Sequence, residues 1–431
     1  MENNLKKVFK NSSWIIFGQI FQMLLSFLVG AYTARYLQPE NYGLINLGLS
    51  YVTIFSSISS LGIEGILINE MINNPNEEGT ILGTSIVLRV ISSILSIISL
   101  ICFFAITGFN TPEMAMITII QSFSLLFNVY EWIEYWFQSK LLSKYAVISR
   151  IVSAVVVALV RVIFIHFNLS VLYFAIVQIF NTFSCFILLY ILFRKNSSLR
   201  LSFNKDYVKI LSKKGFPFLL SSLCIILYAR MDKIMIGYFL PEAYVGFYTA
   251  AVTLSELVNF IPQSIITSVR PVIFESAKEG STKYKRRIVQ LYCVVFYFCL
   301  LVGLCIFIFS DWIIDLVYGV EYIKASTSFK VLSFANIFSI LGVARTILLV
   351  CQNRMTYLKN FTFLGSLTNL VLNIILIPMY GITGSAIATF ITQFSVCIIF
   401  PLLYNETRGD VFLFLEALKF WKYLKIPKKR V

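Results

Sequence analysis

Charge is scarce in this sequence: Asp, Glu, Lys and Arg make up 13% of the 431 residues, against about 25% in average globular chains. Histidine is nearly missing. The single His166 and eight cysteines, which lie singly inside apolar stretches with no Cys-x-x-Cys pair, exclude the common zinc, haem and disulfide frameworks. Cys293, Cys299 and Cys305 recur every six residues, which scatters them around a helix as small core or lipid-facing residues. No Gly-x-x-x-x-Gly-Lys-Ser/Thr occurs, so the chain has no phosphate-cradling loop for ATP. Any transport it performs is powered from elsewhere. Nothing in the sequence calls for a metal, a cofactor or a catalytic group.

What is present is apolar. Hydrophobic residues are 58% of the chain and the mean hydropathy is +0.81, more than a soluble domain can hide. At about 20 apolar residues per spanning helix, this predicts on the order of twelve spans in an all-α polytopic membrane protein. Apolar runs place them at 13–34, 42–67, 80–106, 114–136, 145–166, 170–193, 215–240, 244–269, 288–309, 326–350, 357–378 and 382–404. The run from Trp14 is too long for a signal-peptide core and has no small-residue cleavage site before Arg35, so it is kept as a span.

The net charge is +15, and its distribution orients the chain. With both termini in the cytoplasm, 26 Lys and Arg fall in inner segments and only Arg35 and Lys324 in outer loops, as the positive-inside rule requires. The basic excess thus faces the inner leaflet, with no nucleic-acid partner implied. One inner loop dissents: Glu70 to Gly79 carries Glu70, Glu77 and Glu78 without a base. In the tail, Val411 to Leu424 interleaves aromatic and aliphatic residues with Lys419 and Lys422, which suits a helix lying on the inner leaflet.

An internal repeat follows. Tyr36-Leu37-Gln38-Pro39-Glu40-Asn41-Tyr42 matches Tyr238-Phe239-Leu240-Pro241-Glu242-Ala243-Tyr244 at an offset of 202, and Gly43 and Gly246 come shortly after. Pro ends one helix and Glu favours the start of the next. The matches fall after spans one and seven, which is where duplication of a six-helix unit puts them. This predicts an N-terminal bundle (1–193), a basic linker (194–214), a C-terminal bundle (215–404) and a basic tail (405–431), with the two bundles facing a central cleft.

Four sets of residues carry a family resemblance. They are the turn Tyr36 to Gly43; Glu134 to Lys140 leading into Ser143-Lys144-Tyr145; Asp232-Lys233 with Ile236-Gly237-Tyr238; and Asn373 with Ile377-Pro378, Tyr380-Gly381-Ile382 and Gly384 to Thr389. Over nearly the whole chain, and in order, the sequence resembles the polysaccharide (O-antigen) flippases of the multidrug/oligosaccharidyl-lipid/polysaccharide exporter superfamily. It departs from them at Ile68-Asn69-Glu70, where family members often carry an Arg. The resemblance implies a transporter that turns a polyprenyl-diphosphate-linked oligosaccharide across the bacterial cytoplasmic membrane, for lipopolysaccharide or capsule, beside downstream polymerase and chain-length proteins.

Ionisable residues within spans are functional candidates, since each costs about 2.5–3.5 kcal/mol at mid-bilayer. Arg89 lies roughly 14 Å in from the inner end of its span at about 1.5 Å per residue, and Arg230 and Lys233 reach the midplane of span seven and share a helix face. These three, with Arg161 and Arg345, are the expected contacts to the diphosphate, whose oxygens match Arg and Lys donors. Asp232, Glu64 and Glu256 are expected as ion-pair or coupling residues, and Glu64 is the natural partner for Arg89. Arg150 and Arg345 also lie within snorkelling reach of the inner surface, and Glu131 and Glu134, flanked by Trp132 and Trp136, read as a helix-end anchor at the inner interface. Alternatives of the same fold are a peptidoglycan-precursor flippase and a multidrug exporter. A membrane glycosyltransferase or polymerase needs a sizeable outer loop, for which Ser310 to Ala325, with Asp311, Asp315 and Glu321, is the sole candidate.

Overall fold

The computed structural model describes residues 2–107, 111–278 and 281–419, and among them there are fourteen α-helices and no strand. Ten helical segments are long and apolar enough to cross a bilayer, so the chain is an all-α, multi-pass membrane protein. A helix satisfies its own backbone polar groups, which lipid cannot do. The ten include two very long segments, Trp14–Asn73 and Met355–Leu403. In these the expected boundaries between spans one and two and between spans eleven and twelve are kinks in a continuous helix. Gln38, at φ 61° just before Pro39, breaks the first, and Gly381, at φ 61°, breaks the second.

Two compact units divide the chain at Gly246. In the first, α1 (Glu2–Ser59) packs against α6 (Ser143–His166) and α8 (Lys205–Phe239), and α7 (Val171–Asn196) packs against α6. Between α1 and α2 (Glu64–Asn73), Leu61 and Gly62 turn the chain at positive φ. After α3 (Glu78–Thr107), the fourth span is broken by a 3₁₀ stretch, Phe123–Phe127, between α4 (Pro112–Ser122) and α5 (Tyr130–Ser139). One end of this unit is closed by an aromatic core that includes Trp132, Trp136, Phe137 and Phe193.

The repeated turns lie against each other. A Cβ on Gly43 would sit 1.9 Å from the carbonyl oxygen of Glu242, and one on Gly246 would sit 2.1 Å from that of Pro39. Each glycine is therefore demanded by the backbone of the other turn. At the opposite end of the sequence pattern, the dissenting acidic loop has its partners. Glu70 meets Lys214 at 2.7 Å, Glu77 accepts from Tyr207, and Glu78 pairs with Lys140. Ser202 also donates its N–H to the Gly79 carbonyl at 3.3 Å, and the Asn204 N–H bonds the Thr84 hydroxyl at 3.1 Å. The basic linker is thus laid along the start of α3, where Lys214 neutralises Glu70 and Tyr207 bonds Glu77, while Lys140, between α5 and α6, neutralises Glu78.

The second unit contains most of α9 (Glu242–Lys278), then α10 (Ser281–Tyr318), α11 (Ala325–Cys351) and α12 (Met355–Phe394). Its core gathers Ile266, Tyr292, Val295, Ile340 and Leu348. Contrary to the expected loop from Ser310 to Ala325, α10 runs on to Tyr318. Gly319, at φ 94°, a 3₁₀ turn, Val320–Tyr322, and the pair Ile323-Lys324 separate it from α11. Asp311 is tied to α11 through Ser326 and through Lys330 at 3.3 Å.

A π-helix, Ser395–Ile399, follows α12 and leads into α13 (Phe400–Leu403). Pro401 brings no N–H to the carbonyls behind it. Arg345 of α11 supplies the missing donors, bonding the Cys397 and Val396 carbonyls at 2.9 Å each while its guanidinium lies 4.9 Å from the Phe361 ring. The tail helix α14 (Asn405–Ala417) begins earlier than the expected amphipathic stretch and docks on α10 through Phe414, which meets Tyr292 and Phe296 edge-on. Phe412 and Leu415 remain on its exposed face. Phe420, Trp421 and Lys422 lie outside the described residues.

Candidate functional site

Along α6, Arg150, Ser153, Ala154, Val157, Ala158 and Arg161 follow the spacing i, i+3, i+4, i+7, i+8, i+11 and so share one face. Ile148, Val152, Val155, Leu159 and Ile163 occupy the other faces and are exposed, as lipid contacts should be. The stripe has an arginine at each end and small side chains between them. Gln22, Leu25, Ser26 and Val29 present the matching face of α1, and Asn181 and Cys185 that of α7. Where α1 and α6 come closest, Gly18 has Val147 within 2.4 Å of a Cβ it does not carry. Beyond that crossing the small residues leave a cavity of about 360 Å³.

This upper cavity contains Arg150, Arg161, Gln22 and Asn181, and among the described residues no carboxylate lines it. Arg161 has the neutral Tyr42 phenol near it and no carboxylate partner among the described residues that line this cavity. A second cavity of about 350 Å³ shares Gln22 and Arg150 with the first and is lined by Glu64, Glu131, Glu134 and Gln138. Its carboxylates are largely matched. Glu131 meets the Arg89 guanidinium at 3.0 Å; Glu134 meets Arg150 at 2.7 Å and accepts from Gln138 at 3.0 Å. Arg89 also reaches the Ser56 carbonyl at 3.3 Å and lies 5.3 Å from the Trp132 ring. Its side chain is 1% exposed, whereas that of Arg150 is 42% exposed. Arg89 is therefore enclosed beside the lower cavity, and Arg150 borders both.

The expected site residues scatter. Arg161 lines the upper cavity and Glu64 the lower one, with Arg89 behind it. The partner of Arg89 is Glu131 rather than Glu64; Glu131 stands in the first turn of α5, just past the 3₁₀ stretch. Arg230 and Asp232 are half-buried and Lys233 is buried on α8, and none of the three lines either cavity. Arg345 is committed to the carbonyls of the π-helix in the second unit, and Glu256 is exposed on α9. Glu131 and Glu134 are not an interfacial anchor: Trp132 and Trp136 beside them are buried in the aromatic core. Charge depth marks Arg150 only as a snorkelling residue and does not single out Gln22 or Asn181. The available signal was the six-position stripe on α6, which charge depth alone does not reveal. Among the described residues no group of His, Cys, Asp and Glu is arranged to hold a metal.

The sequence profile of the family described as polysaccharide biosynthesis protein matches residues 8–277. The "probable low-salt glycan biosynthesis flippase Agl15" of Haloferax volcanii is 27% identical over 169 residues, which is 38% of this chain and 34% of that protein. The "probable flippase AglR" of the same organism is 28% identical over 38% of this chain and 36% of its own length. The chain thus spans about a third of the length of these two relatives. Capsular polysaccharide biosynthesis protein CapF of Staphylococcus aureus is 24% identical over 422 residues, 92% of this chain and 99% of CapF. Among solved structures, a multidrug resistance MATE family transporter of the MOP superfamily, in its inward-facing conformation, superposes with a TM-score of 0.74 over 93% of this chain and 96% of its own at 14% identity. Lipid II flippase MurJ, inward closed, gives a TM-score of 0.71 over 95% and 91%, also at 14% identity. These two share the fold. With more than half of its length matched by the family profile, the chain belongs to the polysaccharide biosynthesis protein family.

Proposed function

We propose that the protein is a flippase, not an enzyme, and that it moves a polyprenyl-diphosphate-linked oligosaccharide repeat unit of O-antigen or capsule type across the bacterial cytoplasmic membrane by alternating access. The observation that carries this reading is the upper cavity. A polar, arginine-bearing space bounded by lipid-facing helices is what a charged, sugar-bearing headgroup needs while its tail stays in the bilayer. A cationic drug would call for free carboxylates, but among the described residues the upper cavity has none, and two of the three that line the lower cavity are held by Arg89 and Arg150. Kinship with CapF supports a surface glycan as cargo.

In this reading each of the two kinked segments crosses twice, which brings the ten segments to twelve spans arranged as two bundles, 1–193 and 215–404, with both termini in the cytoplasm. Arg161 and Arg150 bind the cargo, and Arg230 with Lys233 forms a second basic face on α8, steadied by Asp232. The test is made in cells lacking the protein. A polyprenyl-diphosphate-linked glycan should accumulate on the inner leaflet and clear when the gene is restored. Normal surface glycan with no accumulated intermediate defeats the reading.

A further inference from the structure

Arg150 belongs to both cavities, and only one of its two faces is taken. On the lower side it holds Glu134 at 2.7 Å. On the upper side it opens toward Arg161 across the Ser153-Ala154 and Val157-Ala158 floor, in a space without a carboxylate among the described residues. Eleven residues separate the two arginines, which is about 16 Å along the axis and about 20° from exact alignment. Two extended guanidiniums with an anion between them can bridge that distance. At about 360 Å³ the cavity suits one headgroup-sized fragment rather than a whole oligosaccharide, since ligand pockets begin at about 300 Å³.

Two like charges on one membrane-embedded face are unfavourable unless an anion joins them. Glu134 is that anion for Arg150, while Arg161 has only the neutral Tyr42 phenol near it and no carboxylate among the described residues that line its cavity. Glu134 is itself 8% exposed and is steadied by Gln138, so it stays in place and continues to draw on the charge of Arg150 whatever enters above. We propose that the upper cavity binds the acidic group of the cargo between Arg150 and Arg161, and that Glu134 is a built-in competitor which keeps this binding weak enough for release. The acidic group is either the linking diphosphate or the carboxylate of a sugar acid, and the same guanidinium geometry recognises both. A carrier must let go on the far side, just as a conduction site must bind loosely enough to be left. This rests on the flippase reading and gives it a specific anion seat.

The experiment uses the full chain in lipid nanodiscs, with inorganic pyrophosphate, glucuronate and uncharged methyl glucoside titrated calorimetrically, and thermal melts confirming that each variant is folded. Wild type should bind at least one of the two anions and not the glucoside. Pyrophosphate alone identifies the diphosphate as the group recognised, and glucuronate alone the sugar acid. Arg161→Gln should weaken that binding about tenfold, the loss of one charge-assisted contact, and Arg161→Lys should restore part of it. Glu134→Gln should tighten binding by about fivefold or more, the lower end of ordinary coupling between sites, yet slow export of glycan in cells. If Glu134→Gln does not fold, Gln138→Leu, which loosens Glu134 without removing it, takes its place with the same sign expected. Binding of neither anion, binding indifferent to Arg161→Gln, or a weakened Glu134→Gln overturns the proposal. If intermediate accumulates in deletion cells while binding ignores these substitutions, the anion seat falls and the flippase reading stands. If anions bind as described and no intermediate accumulates, the reverse holds.

Discussion

Replacing Arg89 by Met separates a residue that touches cargo from one that holds a helix in place. The guanidinium is enclosed, with Glu131 at 3.0 Å, the Ser56 carbonyl at 3.3 Å and the Trp132 ring at 5.3 Å. Removing it leaves the Glu131 carboxylate without its cation in a cavity that already holds Glu64 and Glu134. Breaking such a pair from one side costs about 3–5 kcal/mol, roughly a hundred- to several-thousand-fold in the ratio of folded to unfolded protein at 1.4 kcal/mol per tenfold. Arg89→Met should therefore melt far below wild type in detergent and export no glycan. The double variant Arg89→Met/Glu131→Gln removes both charges, and replacing a whole buried pair is often neutral. It should return to within about 1 kcal/mol of wild type and should export. Tryptophan fluorescence follows the melt directly, because Trp132 lies against the guanidinium. A double variant that melts like wild type but exports nothing refutes the argument and puts Arg89 in contact with cargo.

Gly43→Ala and Gly246→Ala should each cost about 1–3 kcal/mol, because their new methyls meet the carbonyls of Glu242 and Pro39. Since both push the same two turns apart, the double variant should cost less than their sum in thermal melts; full additivity would show that the turns do not share the strain. In α14, outside the spans, burial pushes the Asp410 carboxyl above its ordinary value, against the opposing pull of Gln352 and Arg345. A raised folded value means that stability is fully present at acid pH and is lost as pH rises through it. Asp410→Asn should accordingly outlast wild type near neutral pH and match it in acid, and a less stable variant at neutral pH would reverse the sign. Topology reporters after Asn204 and after Lys283 should read cytoplasmic, and one within Pro241 to Ala243 external; any other pattern removes the orientation.

Much of the fold was legible because lipid imposes a simple code. Apolar runs mark helices, and the runs from Ser143 to His166 and from Ala325 to Cys351 emerge within two residues of their expected bounds at both ends. Kinks were harder to read. Pro39 and Gly381 were visible as turn residues, but whether a helix bends or ends there depends on what packs against it, and no residue pattern states that. The candidate site was legible in kind and mostly not in place. Depth along a span picked out Arg89 and Arg345, but depth does not say which way a side chain points. Both proved to be enclosed, one by Glu131 and the other by carbonyls that Pro401 leaves unbonded. Arg150 looked shallow enough to snorkel, yet it lines both cavities, because the six-position stripe faces α1 instead of lipid.

The interlocked turns bear on how such a chain can be rebuilt. Gly43 answers to a carbonyl some two hundred residues away, and Gly246 answers back, so neither position can drift unless the other drifts with it. A chimera that takes its first six helices from a relative imports a foreign turn against a native one. Its success then hangs on whether the two parents place their glycines and turn carbonyls alike, far more than on overall identity. Joining the halves just past Gly246, so that both turns come from a single parent, keeps the matched surfaces together and is the crossover that recombination should tolerate best.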